Sequence, residues 1–227
     1  MSVLLTKYNA IGLLRTEPIS ITYQLNKRCK TLPEKASLPY FIKVLDMQEQ
    51  YKAVIEQVEQ NKLERGLSKQ IIEKDLWVST LLEIIFSLPF ADKLVFKGGT
   101  SLSKVWGVID RFSEDIDLAV DRGLFGLEGD LTIRQLKEFR KVSSLFVSNE
   151  LCEELKNAVK QYGLDSYLTI EAQPNGEGDK TYPEPQQIFI KYKSLFDTEL
   201  SYVKPQIILE IGARSLFEPT QKVSINS

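Results

Sequence analysis

KLVFKGGTSLSKVW at Lys93–Trp106 and SEDIDLAV at Ser113–Val120 decide how this chain is to be read. In the first stretch a short apolar run, Leu94 to Phe96, enters a Gly-Gly turn and leaves it into a helix opened by Thr100 and Ser101. In the second, acidic and apolar residues alternate with a period of two, the pattern of a strand with unlike faces. Asp115 and Asp117 therefore share one side, while Ile116 and Leu118 turn to the other, into the core. Ser113, two residues before Asp115, joins the acidic side if the strand already starts there. Two carboxylates on one strand face repel unless a cation sits between them. The pair suits a divalent metal that clamps the phosphates of a nucleotide.

The surroundings turn a weak motif into a site. Glycines after a strand let the backbone approach phosphate oxygens, and N–H groups at a helix start favour an anion, which gives Gly98 and Gly99 a phosphate-side role. Thr100 and Ser101 can add hydroxyl donors. The stretch is no Walker loop, since Gly-Lys-Ser/Thr does not follow at the required spacing. Lys97, just ahead of the glycines, reads as a solvated strand-end charge. Further on, KPQIILEIGAR carries a lone acid, Glu210, among Ile208, Leu209 and Ile211.

The chain contains no histidine, which excludes Ser-His-Asp and Cys-His catalysis and nearly every zinc hydrolase design. A catalytic metal would have to be held by carboxylates, and so would be a hard ion such as magnesium or manganese. Cys29 and Cys152 stand far apart without metal-ligand spacing, so neither a disulfide framework nor a zinc site is indicated. With 29 Lys+Arg against 31 Asp+Glu the chain does not simply coat nucleic acid, although a local basic groove stays open. No run approaches the roughly 20 apolar residues of a membrane helix, and no signal peptide is read, so a cytoplasmic location without membrane contact is expected.

Residues 1–46 lack a sustained helical period and are broken by Pro18, Pro33 and Pro39; they read as an N-terminal extension of unclear status. Residues 47–227 form the domain proper. Helices are expected over MQEQYKAVIEQVEQNKLERG, closing at Gly66, and over SKQIIEKDLWVSTLLEIIFSL, with Ser68 as N-cap and Pro89 past its end. A long helix or two abutting ones should run from about Leu131 to Tyr162, stopped by Gly163. SYLTIEA, QQIFIKYK and KPQIILEIGAR read as strands. Trp77 and Trp106 read as core packing.

FKGGTSLSKVW with RFSEDIDL resembles the AbiEii/AbiGii-type nucleotidyltransferases, toxin components of bacterial abortive-infection and toxin–antitoxin pairs. IIEKDLWVSTLLEIIF ahead of it and KPQIILEIGAR behind it are similar to the same family, so the resemblance covers roughly Met47 to Arg214. It implies an α/β (α+β) nucleotidyltransferase fold, a short mixed sheet flanked by helices. It makes Asp115 and Asp117 metal ligands for Mg2+ or Mn2+, with Glu210 as third carboxylate, and places Ser113 close to the nucleotide phosphates. Arg111, in the same stretch, could neutralise a phosphate. The family also uses a lysine on a strand before the third acid. Lys191 and Lys193 both qualify, and Lys191 is preferred because it lies deeper in its apolar run. Lys74 and Asp75 of EKD read as a support for the site.

The resemblance further implies an NTP substrate, an acceptor that is RNA (tRNA leading) or protein, and a cognate antitoxin. A catalytically idle relative that only binds a partner, and a kinase-like transfer to protein, are the alternatives. The family usually continues into a further helical portion, which has no counterpart before Ser227.

Overall fold

A computed structural model of the protein describes residues 3–6, 52, 55–57, 59–60, 68–108, 114–173, 186–196, 202–213 and 220–223. Of the helix expected from Met47 to Gly66, the described residues 52, 55–57, 59 and 60 are helical, and the others lie outside the described residues. Ser68 then caps helix α1, Lys69–Ile85, its Oγ accepting from the Ile71 N–H at 3.4 Å. A 3-10 turn at Ala91–Lys93 leads into β2, Leu94–Lys97. Helix α2, Gly98–Lys104, follows without a linker. The two glycines expected to form a separate turn are thus the first residues of the helix itself.

Strand β3, Ile116–Val120, comes next. Helix α3, Ile133–Phe146, opens on a capping box of Thr132 and Gln135 and passes through a π-helical turn, Val147–Leu151, into α4, Cys152–Gln161. Gly163, at φ 71°, supplies the left-handed residue that ends this run. Strands β4 (Leu168–Ala172), β5 (Gln186–Tyr192), β6 (Gln206–Gly212) and β7 (Thr220–Val223) complete the sheet with β1 (Val3–Thr6).

Among the described residues the sheet is seven-stranded and mixed, in the order β4-β5-β6-β3-β2-β1-β7. Its centre matters most for function: β3 runs parallel to β6 on one side and antiparallel to β2 on the other. Val3–Thr6, from the segment set apart as an extension, lies in the sheet between β2 and β7.

Alternation then sorts the side chains. Ile116, Leu118, Ile188, Ile190, Ile207, Leu209 and Ile211 turn to one face, which joins Trp77, Val78, Leu81 and Leu155 from the helices in a single core. Asp117, Gln187 and Glu210 turn to the other face and stay only partly buried. Trp77 is 1% exposed and stacks on Tyr192 with ring centroids 5.7 Å apart, as its reading as core packing requires. Trp106 packs partly buried against the same core. Trp77→Ala removes the largest side chain from the layer between α1 and β5, and should cost about 3–5 kcal/mol of unfolding free energy. Urea denaturation followed by circular dichroism checks this.

Candidate active site

The cross-strand register sets four polar residues side by side. Lys97 on β2 is the Cα partner of Asp117 on β3, Asp117 is the partner of Glu210 on β6, and Glu210 is the partner of Gln187 on β5. Directly paired residues point to the same side of a sheet, so Lys97, Asp117, Glu210 and Gln187 form one row on the open face. Gln187 donates from Nε2 to Glu210 Oε1 at 2.7 Å, which steadies this carboxylate; among the described residues its second oxygen accepts no side-chain hydrogen bond. Asp115 lies one residue ahead of β3 and accepts a hydrogen bond from the Ile208 N–H of β6.

The two aspartates respond to burial and to the charges around them. Burial raises the Asp117 carboxyl above its ordinary value, and Glu210 and Asp115 raise it further, against the pull of Lys97. Burial likewise raises Asp115; Lys74 opposes the rise, while Glu210 and Glu114 add to it. Charge has therefore been gathered here at a cost to the folded chain.

Gly98 shows how closely the elements are packed. Its φ is +72°, and a Cβ built on it would fall 1.9 Å from Asp117 Oδ2. Any side chain at this position would displace the carboxylate. The helix start is held from behind: Thr100 Oγ1 donates to the Asp115 carbonyl, and Ser101 Oγ donates to the Gly98 carbonyl at 3.0 Å. Thr100 and Ser101 are each 1% exposed. Their hydroxyls, expected to reach a nucleotide, are engaged inside the protein and tie α2 to the start of β3.

The EKD residues of α1 reach three different segments, since successive helical residues are rotated by roughly 100°. Glu73 accepts from Ser194 Oγ at 2.6 Å and from the Leu195 N–H at 2.8 Å, beyond the end of β5. Burial pushes its carboxyl up, and these two hydrogen bonds pull it back. Lys74, 2% exposed, pairs with Glu114 at 2.6 Å, next to Asp115. Asp75 pairs with Lys104 of α2 at 2.7 Å, and the same ammonium donates to Ser79 Oγ at 3.0 Å. Support is thus the role the geometry gives to Lys74 and Asp75, with Glu73 as an unforeseen third member.

Lys191 is not brought to the acids. It is the partner of Gln206, four residues along β5 from Gln187, or roughly 13 Å at strand spacing. Its ammonium pairs with Glu171 at 3.0 Å on the exposed β4 side. Lys193 lies past the strand end and is exposed. The antiparallel register decides this, because the residue of β5 beside Glu210 is Gln187. Arg111 and Ser113 lie outside the described residues.

With this geometry in view, the family described as "Nucleotidyl transferase AbiEii toxin, Type IV TA system" matches residues 80–227, nearly two thirds of the chain. The chain belongs to the AbiEii toxin nucleotidyltransferase family. The match takes in GGTS, DID and Glu210, and begins within α1, past the EKD residues. A mixed α/β sheet flanked by helices is the nucleotidyltransferase-type arrangement that membership implies. No curated protein matches the chain. Among the described residues no helix is long and apolar enough to cross a membrane.

The donor set fits the hard divalent ion that such an enzyme would use. It consists of oxygen ligands alone, and Asp115 and Asp117 carry raised pKa values that a nearby cation would reverse. Among the described residues no three acidic, cysteine or histidine side chains already converge as a metal-binding group, so the fit lies in charge and chemistry.

A carboxyl raised on folding holds its proton where the unfolded chain has released it. Its contribution to stability is therefore lost as pH rises from the ordinary carboxylate value through the raised one. Asp117→Asn removes that penalty. In metal-free buffer the variant should melt a few degrees above the unaltered protein at neutral pH, and the gap should close on acidification. Thermal melts at a series of pH values measure it.

Proposed function

We propose that the protein transfers a nucleoside monophosphate from an NTP to an acceptor hydroxyl and that it acts as a growth-inhibiting toxin. The observation that carries this reading is the row in which Asp117 stands directly between Glu210 and Lys97, with Gly98 against its carboxylate. Asp115 and Asp117 would hold a magnesium or manganese ion, with Glu210 alongside. Such an ion supplies charge neutralisation for the phosphates and a fixed orientation for the reacting phosphorus.

The chain's own residues carry the other tasks. Gly98 and Gly99 present bare backbone where the phosphates would lie. The second oxygen of Glu210 would take the proton of the acceptor hydroxyl as the acceptor oxygen bonds to the α-phosphorus. The bond from that phosphorus to the bridging oxygen breaks, and pyrophosphate leaves with the electron pair. Gln187 holds Glu210 in the required rotamer through the other oxygen.

The acceptor is proposed to be RNA, with tRNA foremost, and a protein acceptor is the second choice. Membership of a type IV toxin–antitoxin family supports a separately encoded antitoxin as the partner that restrains the activity.

Incubation of the purified protein with total RNA, and separately with cell protein, tests the reading when the NTP is labelled at either the α- or the γ-phosphate. Nucleotidyl transfer puts α-label on RNA of tRNA size and releases γ-label as pyrophosphate. Label from the γ-position on protein would instead mean kinase-like transfer, and no incorporation from either would mean an idle, partner-binding relative. Asp115→Asn should lower α-label incorporation by about a hundredfold or more while leaving the fold intact. Induced in growing cells, the unaltered protein should arrest growth and Asp115→Asn should not.

A further inference from the structure

Four lysines surround the carboxylate row or were expected there, and their surroundings differ. Lys74 is buried against Glu114, Lys104 is paired with Asp75, and Lys191 is paired with Glu171. Lys97, partly buried, takes part in no ion pair among the described residues. Its side chain lies beside the row, on the same open face. A Cβ built on Gly212 would be 3.3 Å from Lys97 Nζ, so the ammonium reaches from β2 across β3 to the bare backbone of β6. Its charge is felt at Asp117, the middle member of the row.

Lys97 directly precedes Gly98 and Gly99, the bare backbone against which the phosphates would lie. A nucleotide with its α-phosphorus at the acids and its tail along that backbone brings its terminal phosphates within reach of this ammonium. A compact ammonium with free donors is suited to the negative oxygens that gather there. We infer that Lys97 is the phosphate-tail ligand of the site: it binds the β- and γ-phosphates of the incoming nucleotide and the pyrophosphate that leaves. This rests on the nucleotidyl-transfer reading, and it assigns to a β2 residue the task expected of a lysine on β5.

A lysine that merely balanced Asp117 would affect every ligand alike or none. A phosphate ligand would act in proportion to the phosphates present. The four ribonucleoside triphosphates are titrated against the full chain with magnesium by calorimetry. The one bound most tightly is then compared with its diphosphate, its monophosphate, its nucleoside and inorganic pyrophosphate. In Lys97→Met, affinity for the triphosphate and for pyrophosphate should fall roughly 10- to 100-fold, the size expected for a lost charged hydrogen bond. Affinities for the monophosphate and nucleoside should hold. Lys97→Arg should retain most of the binding, and Lys191→Ala should leave all five affinities unchanged.

Should Lys97→Met fail to fold, Gly212→Leu carries the test. It fills the space that the ammonium occupies without removing the charge, and should give the same selective loss. Unchanged triphosphate binding in the variant, or an equal loss for nucleoside and triphosphate, overturns the assignment of Lys97. If the unaltered protein binds none of the four triphosphates, the nucleotidyl-transfer reading itself falls, and this inference with it.

Discussion

Mutual repulsion of carboxylates is the constraint around which this molecule is arranged. Asp115 and Asp117 are partly removed from water and set beside Glu210 by two adjacent parallel strands, so burial first and the neighbouring charge second make both aspartates harder to ionise. A chain selected for stability alone would not place them so. The surrounding residues read as answers to that one problem. A backbone N–H from Ile208 and the charge of Lys74 favour ionised Asp115, Lys97 favours ionised Asp117, and a side-chain amide steadies Glu210. The site is a set of negative charges held short of full compensation, which is the condition in which it would take up a cation and an anionic substrate together.

Rigidity for that arrangement comes from α1. Three consecutive charged residues on one helix tie down the approach to β3, the helix after the glycines and the loop leaving β5. Each tether is two-ended, and two of the buried ends are charged: Glu73 is 1% exposed and Lys74 2%. Burying such groups is worthwhile only where their partners are present, so the tethers favour one docking of helix on sheet over near alternatives. Exact placement of α1 thereby becomes placement of the acids.

Much of this was legible in the sequence. Alternation in IDLAV, QIFIKY and QIILEIG identified the central strands, and the Ser68 cap and Gly163 bounded helices where expected, because these signals are local. What escaped was non-local. Nothing in QQIFIKYK says which residue stands beside Glu210, so the sequence directs attention to Lys191 and Lys193 and passes over Gln187. Only the pairing of β5 with β6 settles it. Lys97 was discounted as a strand-end charge because its reach across β3 to Gly212 depends on a third strand. The hydroxyls of Thr100 and Ser101 were assigned outward because a helix start normally leaves them free, whereas here the entry to β3 and the helix's own first turn engage them.

The parallel pairing of β3 with β6 has a consequence for when the carboxylate row is assembled during synthesis. Asp117 and Glu210 are neighbours in space but 93 positions apart in the chain. Synthesis proceeds from the N-terminus, and strands that pair across so long an interval come together late. A nascent chain can already hold the glycine turn and both acids of DID, yet its third carboxylate has not been made. The row is thus incomplete in every translation product that ends before β6, and it closes only when that strand docks beside β3.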